Sequence, residues 1–281
     1  FDNAETFSVW GRLRGISNNI KDISPCHAAP NRVYAVGPRT WLWHANQLFQ
    51  SNDAGLHWRR PAMRGLPDLS DQTGFRSNSV CVHPENPDEV YLAISGPVAS
   101  PSQPAGGGIY RSTDGGENWT RFDQGLPQGI KLFRDSIWTT EREIAVSPDG
   151  TLLAFSHDCG RAFRRSPNDA AWSEITGKYG LPASFRSWKI AADPRTPERF
   201  FVSLREAGFF ETRDGGLSWR KSLDAPVYGF SLDEGTPGRI AVCTPQMVFL
   251  SEDDGKTFAG LEPVLPFRSK RSVVCFADDR L

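Results

Sequence analysis

The chain alternates between short apolar runs and polar, turn-forming stretches, and one such turn occurs four times. Residues 112–119 (STDGGENW) lie between the apolar runs 108–111 and 119–122. The same frame of a hydroxyl residue, Asp, Gly and an aromatic residue returns at residues 51–58, 212–219 and 251–258. Two short strands around a tight turn are typical of a β-hairpin, and repeated copies of one turn indicate a repeat architecture.

Each part of this turn has a chemical role. The Asp carboxylate can accept hydrogen bonds from backbone N–H groups two or three residues further on, and Gly supplies a backbone conformation with positive φ. The aromatic residue starts the return strand and is expected to be buried between neighbouring sheets, where its loss costs ~3–5 kcal/mol. We therefore predict that Asp114 and Asp214 bind the N–H groups of their own turns.

A second pattern precedes these turns. Residues 23–36, 82–93 and 192–202 each contain a strand, a Pro-rich turn and a second strand, with the prolines at sites that need no N–H. A third strand, the Asp turn and a fourth strand follow, and a four-stranded unit repeated around an axis is a β-propeller blade. The sequence predicts an all-β, six-bladed β-propeller of four-stranded antiparallel blades, whose marker aromatics are Trp10, Trp58, Trp119, Trp172, Trp219 and Phe258.

Residues 1–281 are predicted to form this single propeller domain, with one blade shared by the chain ends. The segment 266–281 has the pattern of a first strand, and it would join residues 1–14, which carry Trp10. These two pieces do not clearly supply four strands, so either that blade is incomplete or the chain has been cut from a longer one. A cleaved signal peptide or an artificial boundary would explain why the first residue is Phe.

One match to the turn pattern is predicted to be a coincidence. Residues 156–163 (SHDCGRAF) fit the frame, but they follow residues 152–155, which occupy the position of a second strand. The equivalent turn is the degraded segment 166–172, which ends at Trp172. We therefore predict that Asp158 does not lie in a turn between a third and a fourth strand.

Composition narrows the possible partners. The 32 basic and 33 acidic residues nearly balance, so nothing indicates a general nucleic-acid or membrane binder, and no apolar run is long enough to span a bilayer. Only seven of the basic residues are Lys; the planar fork of Arg suits carboxylate, sulfate or phosphate, although a GC-rich genome would explain the same bias. The Cys and His residues show no metal-ligand spacing, and no cofactor motif is present, so neither a metal nor a cofactor is predicted.

Loops on one face of the propeller carry the remaining aromatic residues. In a propeller the first strand of each blade lies nearest the axis, and ligands meet the face with the loops that join fourth to first strands and second to third strands. Side chains in these loops could stack on sugar rings or pack a partner, and packing within the loops is an equal alternative. These candidate ligand-binding residues are Trp41, Trp43, Trp138 and Trp188, together with His44.

The phrase Phe-Arg-Ser occurs three times just before a first strand and places Arg76, Arg186 and Arg268 in the second, fourth and sixth blades. In a six-bladed ring these guanidinium groups would lie about 120° apart around the axis. Arg134 follows Phe133 in the long loop of the third blade. Converging guanidinium groups repel one another unless an anion or carboxylates offset them, which predicts an anion site. The alternative is a packing unit in which each Arg pairs with an acid of the neighbouring blade.

The Asp turn resembles the Asp-box, or BNR, repeat of propellers such as sialidases, xyloglucanases, sortilin ectodomains and photosystem II assembly factors. In those proteins the box is a structural turn on the outer rim, so the resemblance implies the fold. Sialidases bind a substrate carboxylate with three Arg and use a Tyr nucleophile activated by Glu, with an Asp as acid/base. The resemblance makes Tyr228, Glu206 and Asp158 the catalytic candidates, although the Arg-Ile-Pro phrase of sialidases is absent here.

Two functions are therefore open. One is recognition of an anionic ligand, an acidic carbohydrate in particular, through an arginine-lined face, with sialidase-like glycoside hydrolysis as its catalytic form. The other is a non-catalytic scaffold or assembly factor that docks a protein partner. An extracytoplasmic or secreted location is favoured over a cytoplasmic one, since a cleaved signal peptide would explain the first residue.

Overall fold

A computed structural model describes residues 20, 22–37, 47–67, 76–95, 107–127, 143–156 and 159–261. Every regular element in this part of the chain is a β-strand, and the 19 strands form five antiparallel sheets. Nowhere in these ranges is there a helix with the length and apolar character needed to cross a membrane.

The five sheets follow one another along the chain. The first contains β1 (Asp22–Pro25), β2 (Val33–Gly37) and β3 (Gln47–Ser51). The second contains β4 (Arg76–His83), β5 (Asn86–Ser95), β6 (Gly108–Ser112) and β7 (Thr120–Arg121). The third contains β8 (Ile144–Val146), β9 (Leu152–Ser156), β10 (Arg161–Arg165) and β11 (Ser173–Glu174). The fourth contains β12 (Ser187–Ala192), β13 (Phe200–Leu204), β14 (Gly208–Thr212) and β15 (Arg220–Leu223), and the fifth β16 (Gly229–Leu232), β17 (Ile240–Cys243), β18 (Val248–Ser251) and β19 (Ala259–Gly260).

These sheets are the blades of a propeller. In each sheet the strands pair in chain order, and the first strands β1, β4, β8, β12 and β16 contact one another in succession. We number the blades 1 to 5 accordingly. Blade 1 has three named strands, and a single bridge between Gln50 and Arg59 occupies the position of its fourth. The prediction of an all-β propeller is confirmed.

The predicted number of blades is wrong. The described residues form five sheets, one for each marker aromatic from Trp58 to Phe258, and they show no blade shared by the chain ends. The prediction of a sixth blade depended on Trp10, which has no Asp turn before it, and on residues 266–281; both lie outside the described residues. Because a five-bladed ring has no alternate positions 120° apart, the predicted three-fold spacing of Arg76, Arg186 and Arg268 has no basis.

The buried cores lie between consecutive blades. In β5, Val90, Leu92 and Ile94 pack with blade 1, whereas Tyr91 and Ala93 pack with blade 3. Successive side chains of a strand point to opposite faces of its sheet. A second strand between two other blades is therefore buried on both faces, and its sequence is a continuous apolar run.

The turns between third and fourth strands have the predicted chemistry. Asp114 Oδ1 accepts the backbone N–H groups of Glu117 at 3.1 Å and of Asn118 at 2.9 Å. Asp214 accepts the equivalent two N–H groups at 3.0 and 2.8 Å. The indole N–H of Trp119 donates to Gly116 O at 2.9 Å and closes the turn. The structural role predicted for these Asp residues is confirmed.

The coincidental match lies where the sequence analysis placed it. Residues 157–160 connect β9 to β10, which are the second and third strands of blade 3. Asp158 itself lies outside the described residues. The turn from β10 to β11 is the degraded segment, in which the Ser166 N–H donates to Asp169 at 2.8 Å and Trp172 is buried.

A second repeated phrase, Gly-Leu-Pro, joins each of three blades to the next, and we call it the Gly-Leu-Pro clasp. It occurs at residues 65–67, 125–127 and 180–182. The carbonyl group just before each Gly accepts the backbone N–H of the marker Trp of the following blade. The three bonds run from Trp119 to Arg64 (2.8 Å), from Trp172 to Gln124 (2.7 Å) and from Trp219 to Tyr179 (2.7 Å).

Glycine is required in the Gly-Leu-Pro clasp for two reasons. Gly65, Gly125 and Gly180 have φ between +86° and +94°. A Cβ atom on any of them would also lie 2.2–2.5 Å from the carbonyl oxygen of the marker Trp. None of the sequence-based predictions includes this phrase, although its three copies stand at equivalent positions.

The Asp-box carboxylates should make the stability of the protein depend on pH. The pKa values of Asp53, Asp114 and Asp253 are lowered to about 2, chiefly by hydrogen bonds from the backbone of His57, the side chain of Asn118 and the side chain of Thr257, respectively. A carboxyl group with a lowered pKa in the folded state stabilises that state above its unfolded pKa of ~4, and the stabilisation is lost as the pH falls towards 2. We expect the free energy of unfolding, measured with urea, to fall between pH ~4 and ~2.

The variant Asp114→Asn tests this origin. Asn keeps an oxygen that accepts the turn N–H groups but does not titrate, so the unfolding free energy of the variant should fall less steeply with acid than that of the wild type. Asp224→Asn is the matched control, because Asp224 is an exposed residue paired with Lys221. Equal slopes for Asp114→Asn and the wild type would contradict the explanation.

Candidate functional site

Much of the predicted ligand face lies outside the described residues. Arg76 is described only by its backbone, as the first residue of β4. Arg186, Trp188, Glu206 and Tyr228 are fully described. The predicted site residues outside the described ranges are Trp41, Trp43, His44, Arg134, Trp138, Asp158 and Arg268, and they stay predictions.

Two equivalent β-bulges mark the ligand-face ends of the first strands of blades 2 and 4. In β12 the register shifts between Ser187 and Lys189, which makes Trp188 the extra residue, and β4 has a shift at the corresponding place. Arg186 and Arg76 each stand one residue before the residue at which the register shifts, so the two arginines hold equivalent backbone positions in their blades. A bulge bends the strand and re-aims the side chain of the extra residue.

The Phe-Arg-Ser phrase of blade 4 has two structural members. The ring of Phe185 packs 5.7 Å from the ring of Phe155 in blade 3, and the Ser187 hydroxyl donates to Phe155 O at 3.2 Å. Arg186 is exposed and forms no ion pair within the described part of the chain. Phe185 and Ser187 therefore pack against the neighbouring blade, as expected for a packing unit. Arg186 between them does not pair with an acid of that blade among the described residues.

Arg205, Trp188 and Tyr228 form one group on this face, which we call the Arg205 cluster. The guanidinium carbon lies 5.9 Å from the centre of the Trp188 ring and 5.5 Å from that of Tyr228. The two rings meet edge to face at 5.4 Å. Arg205 Nε donates to the Tyr228 hydroxyl at 3.4 Å, and its backbone N–H donates to Arg186 O at 2.9 Å.

The topology explains why these residues meet. Trp188 is in the bulge of β12, Arg205 is in the turn from β13 to β14, and Tyr228 directly precedes β16. A second-to-third turn of blade 4 and the loop that leads into blade 5 lie at the same end of the sheets. Trp188 was predicted from its loop, and Tyr228 and Glu206 from the resemblance to sialidases, but Arg205, the direct neighbour of Glu206, was not predicted.

The Arg205 cluster carries a positive charge that no described carboxylate neutralises. Arg205 is half-buried and forms no ion pair with any residue that the structure describes. By contrast, the buried Arg199 contacts Asp193, Glu211 and Asp254 at 2.7–3.1 Å. Aromatic rings favour a nearby guanidinium group by ~0.5–2 kcal/mol, but they leave its charge in place. An anion would complete the cluster.

The described residues do not bring the catalytic candidates Tyr228, Glu206 and Asp158 together. The Tyr228 side chain is buried, and its hydroxyl bonds to Arg205 rather than to a carboxylate among the described residues. Glu206 is exposed. Because Asp158 lies outside the described ranges, catalysis by Tyr228, Glu206 and Asp158 stays a prediction.

A cavity of about 350 Å³ lies on the axis, near the turns between first and second strands, away from the predicted ligand face. Residues at the ends of the first strands of all five blades line it. One of them, Lys189, donates from Nζ to Phe230 O at 2.8 Å. The described residues include no group of three His, Cys, Asp or Glu side chains that could hold a metal ion.

The five sheets and their Asp turns define an Asp-box β-propeller. The BNR/Asp-box repeat model matches residues 110–121, which contain the turn of Asp114 between β6 and β7. Comparison with curated proteins gives no match.

Solved structures of low sequence identity share the fold. The GH74 xyloglucanase from Xanthomonas campestris has a TM-score of 0.59 and 17% identity, over 86% of this chain and 32% of its own. The GH74 enzyme of Niastella koreensis has a TM-score of 0.57 and 15% identity, over 86% of this chain and 38% of its own. The Hadza microbial sialidase has a TM-score of 0.50 and 16% identity, over 86% of this chain and 58% of its own. The chain thus spans about a third of the length of the two GH74 enzymes, and the similarity concerns the fold alone.

Proposed function

We propose that this propeller binds an anionic ligand, an acidic carbohydrate, at the Arg205 cluster. The observation that carries the proposal is a half-buried guanidinium group beside two aromatic rings, with no carboxylate partner among the described residues. A carboxylate accepts two parallel N–H bonds from the guanidinium fork, and such charge-assisted bonds are about twice as strong as neutral ones.

The aromatic part of the cluster favours a sugar over a simple anion. The Trp188 side chain is half-buried and its ring meets that of Tyr228 edge to face, so an indole lies beside the cation. An acidic sugar supplies both an apolar ring face for stacking and a carboxylate for Arg205. Arg186 bonds through its carbonyl to the Arg205 N–H, so a second arginine belongs to the same edge of blade 4.

Hydrolysis of an acidic glycoside would be the catalytic extension of this proposal, with Tyr228, Glu206 and Asp158 as its candidates. A scaffold that docks an acidic segment of a protein would use the same cation. Binding and turnover must therefore be measured separately.

Calorimetric titration with N-acetylneuraminic acid and with its uncharged methyl ester tests the binding. We expect the acid to bind more tightly than the ester, because only the acid offers a carboxylate to Arg205. Arg205→Lys should weaken binding of the acid by roughly tenfold or more, since a point charge cannot replace the fork. Arg213→Lys is the matched control, because Arg213 already pairs with Glu211 and Asp254.

Equal affinities for the acid and the ester would refute the proposal, and so would unchanged affinity in a folded Arg205→Lys variant. Release of sugar from an aryl sialoside that disappears in Tyr228→Phe would add hydrolysis to binding. If an acidic peptide binds at Arg205 and the sugar acid does not, the ligand is a protein segment and the carbohydrate proposal is wrong.

A further inference from the structure

Ion pairing divides the half-buried arginines of the described chain into two groups. Arg32, Arg111, Arg161, Arg164 and Arg239 each pair with a carboxylate. Arg165 and Arg205 have no such partner among the described residues. Arg165 is at the end of β10 in blade 3, outside the Arg205 cluster and outside the predicted ligand face.

Arg165 lies against an aromatic ring that a second arginine also approaches. Its guanidinium carbon is 3.7 Å from the centre of the Phe122 ring, and that of Arg111 is 5.5 Å from the same centre. Arg165 Nε donates to Asp169 O at 3.2 Å and Nη1 donates to Gln124 Oε1 at 3.3 Å. Both acceptors are neutral, so they orient the guanidinium group without neutralising it.

The acids nearby already serve other groups. Glu89 accepts two bonds from Arg111, at 2.9 and 2.7 Å, and one from a tyrosine hydroxyl. The Asp169 carboxylate accepts a backbone N–H in its own turn and lies 3.4 Å from Arg164. One positive charge between blades 2 and 3 is therefore uncompensated by the described residues.

Burial is the main cause of a lowered pKa at Arg165, and the charge of Arg111 lowers it further. Both effects disfavour the charged guanidinium group in the unliganded protein. A bound anion would offset both, because it restores favourable electrostatic interactions that burial removes and reduces the repulsion between the two arginines.

We infer that Arg165 and Arg111, whose guanidinium groups both lie near the Phe122 ring, form a second anion site on the outer part of the propeller between blades 2 and 3. Its ligand is an oxyanion, a carboxylate, sulfate or phosphate group, which the guanidinium fork can bind through parallel N–H bonds. We call it the rim site. It does not depend on the Arg205 cluster.

Nuclear magnetic resonance of the arginine Nε–Hε groups tests the rim site directly. The protein is titrated with acetate, sulfate and phosphate at constant ionic strength, with chloride as the replaced anion. We expect a saturable shift of the Arg111 Nε–Hε signal. In Arg165→Lys the dissociation constant read from that signal should rise at least about tenfold, because the fork is lost while the charge remains.

Arg205→Lys is the control that separates the rim site from the proposed function, because it should leave the Arg111 titration unchanged. Tightest binding of acetate would indicate a carboxylate ligand, and tightest binding of sulfate or phosphate would indicate an ester of those acids; both support the site. A shift that chloride reproduces, a shift that does not saturate, or an unchanged dissociation constant in Arg165→Lys would overturn it.

Discussion

Replacing Gly125 with alanine is expected to lower the free energy of unfolding by about 3 kcal/mol. Gly125 has a φ of +88°, which costs a residue with a side chain ~1–2 kcal/mol. The new Cβ would lie 2.3 Å from Trp172 O, and overpacking of this kind costs ~1–3 kcal/mol. The melting temperature, measured by circular dichroism, should fall by roughly 6–12 °C.

Gly235→Ala is the matched control for this prediction. A Cβ at Gly235 would meet only the Asp233 carboxylate at 3.3 Å, and its φ lies outside the left-handed region. Its melting temperature should therefore change little. If the Gly125→Ala and Gly235→Ala variants have the same melting temperature, the Gly-Leu-Pro clasp does not hold blade 2 to blade 3.

Arg199→Met should lower the free energy of unfolding by ~3–5 kcal/mol, because removal of the buried arginine of an ionic group leaves the buried carboxylates of Asp193 and Glu211 with less compensating charge. Arg199 is buried between blades 4 and 5 and contacts Asp193 at 3.1 Å, Glu211 at 2.9 Å and Asp254 at 2.7 Å. Met fills much of the volume of the arginine stem. The decrease in the free energy of unfolding is therefore attributed to the lost charge rather than to a cavity. Urea denaturation measures the difference.

Arg213→Met supplies the comparison, because Arg213 pairs with Glu211 and Asp254 as well, but half of its side chain is exposed. An exposed pair contributes only ~0–1 kcal/mol. Similar losses for Arg199→Met and Arg213→Met would show that burial of the ionic group is not what stabilises the contact between blades 4 and 5.

Sequence was sufficient to predict the blades whose turns keep their chemistry. Asp114 and Asp214 accept N–H groups of their own turns. Because this interaction is local, the sequence pattern is enough to predict the turn. The predicted number of blades was wrong because the sixth blade depended on a lone aromatic residue, Trp10, without an Asp turn. An apolar run with an aromatic fits many environments, whereas the Asp turn fits few.

The site was harder to predict because its members meet across blades. Trp188 could be predicted from its loop and Tyr228 from the resemblance to sialidases, but the position of Arg205 beside both depends on how blades 4 and 5 pack. The local sequence also does not indicate which arginines form ion pairs with carboxylates. Arg32 pairs with Asp88 of the next blade, whereas Arg165 finds only neutral acceptors and an aromatic ring.

The Gly-Leu-Pro clasp has a direction. In all three copies the accepting carbonyl, at Arg64, Gln124 or Tyr179, precedes in the chain the Trp whose N–H it binds. During synthesis on the ribosome, each acceptor is therefore made before its donor. A newly made blade can dock onto an edge that is already complete, so the ring would be assembled from its N-terminal side, one blade at a time.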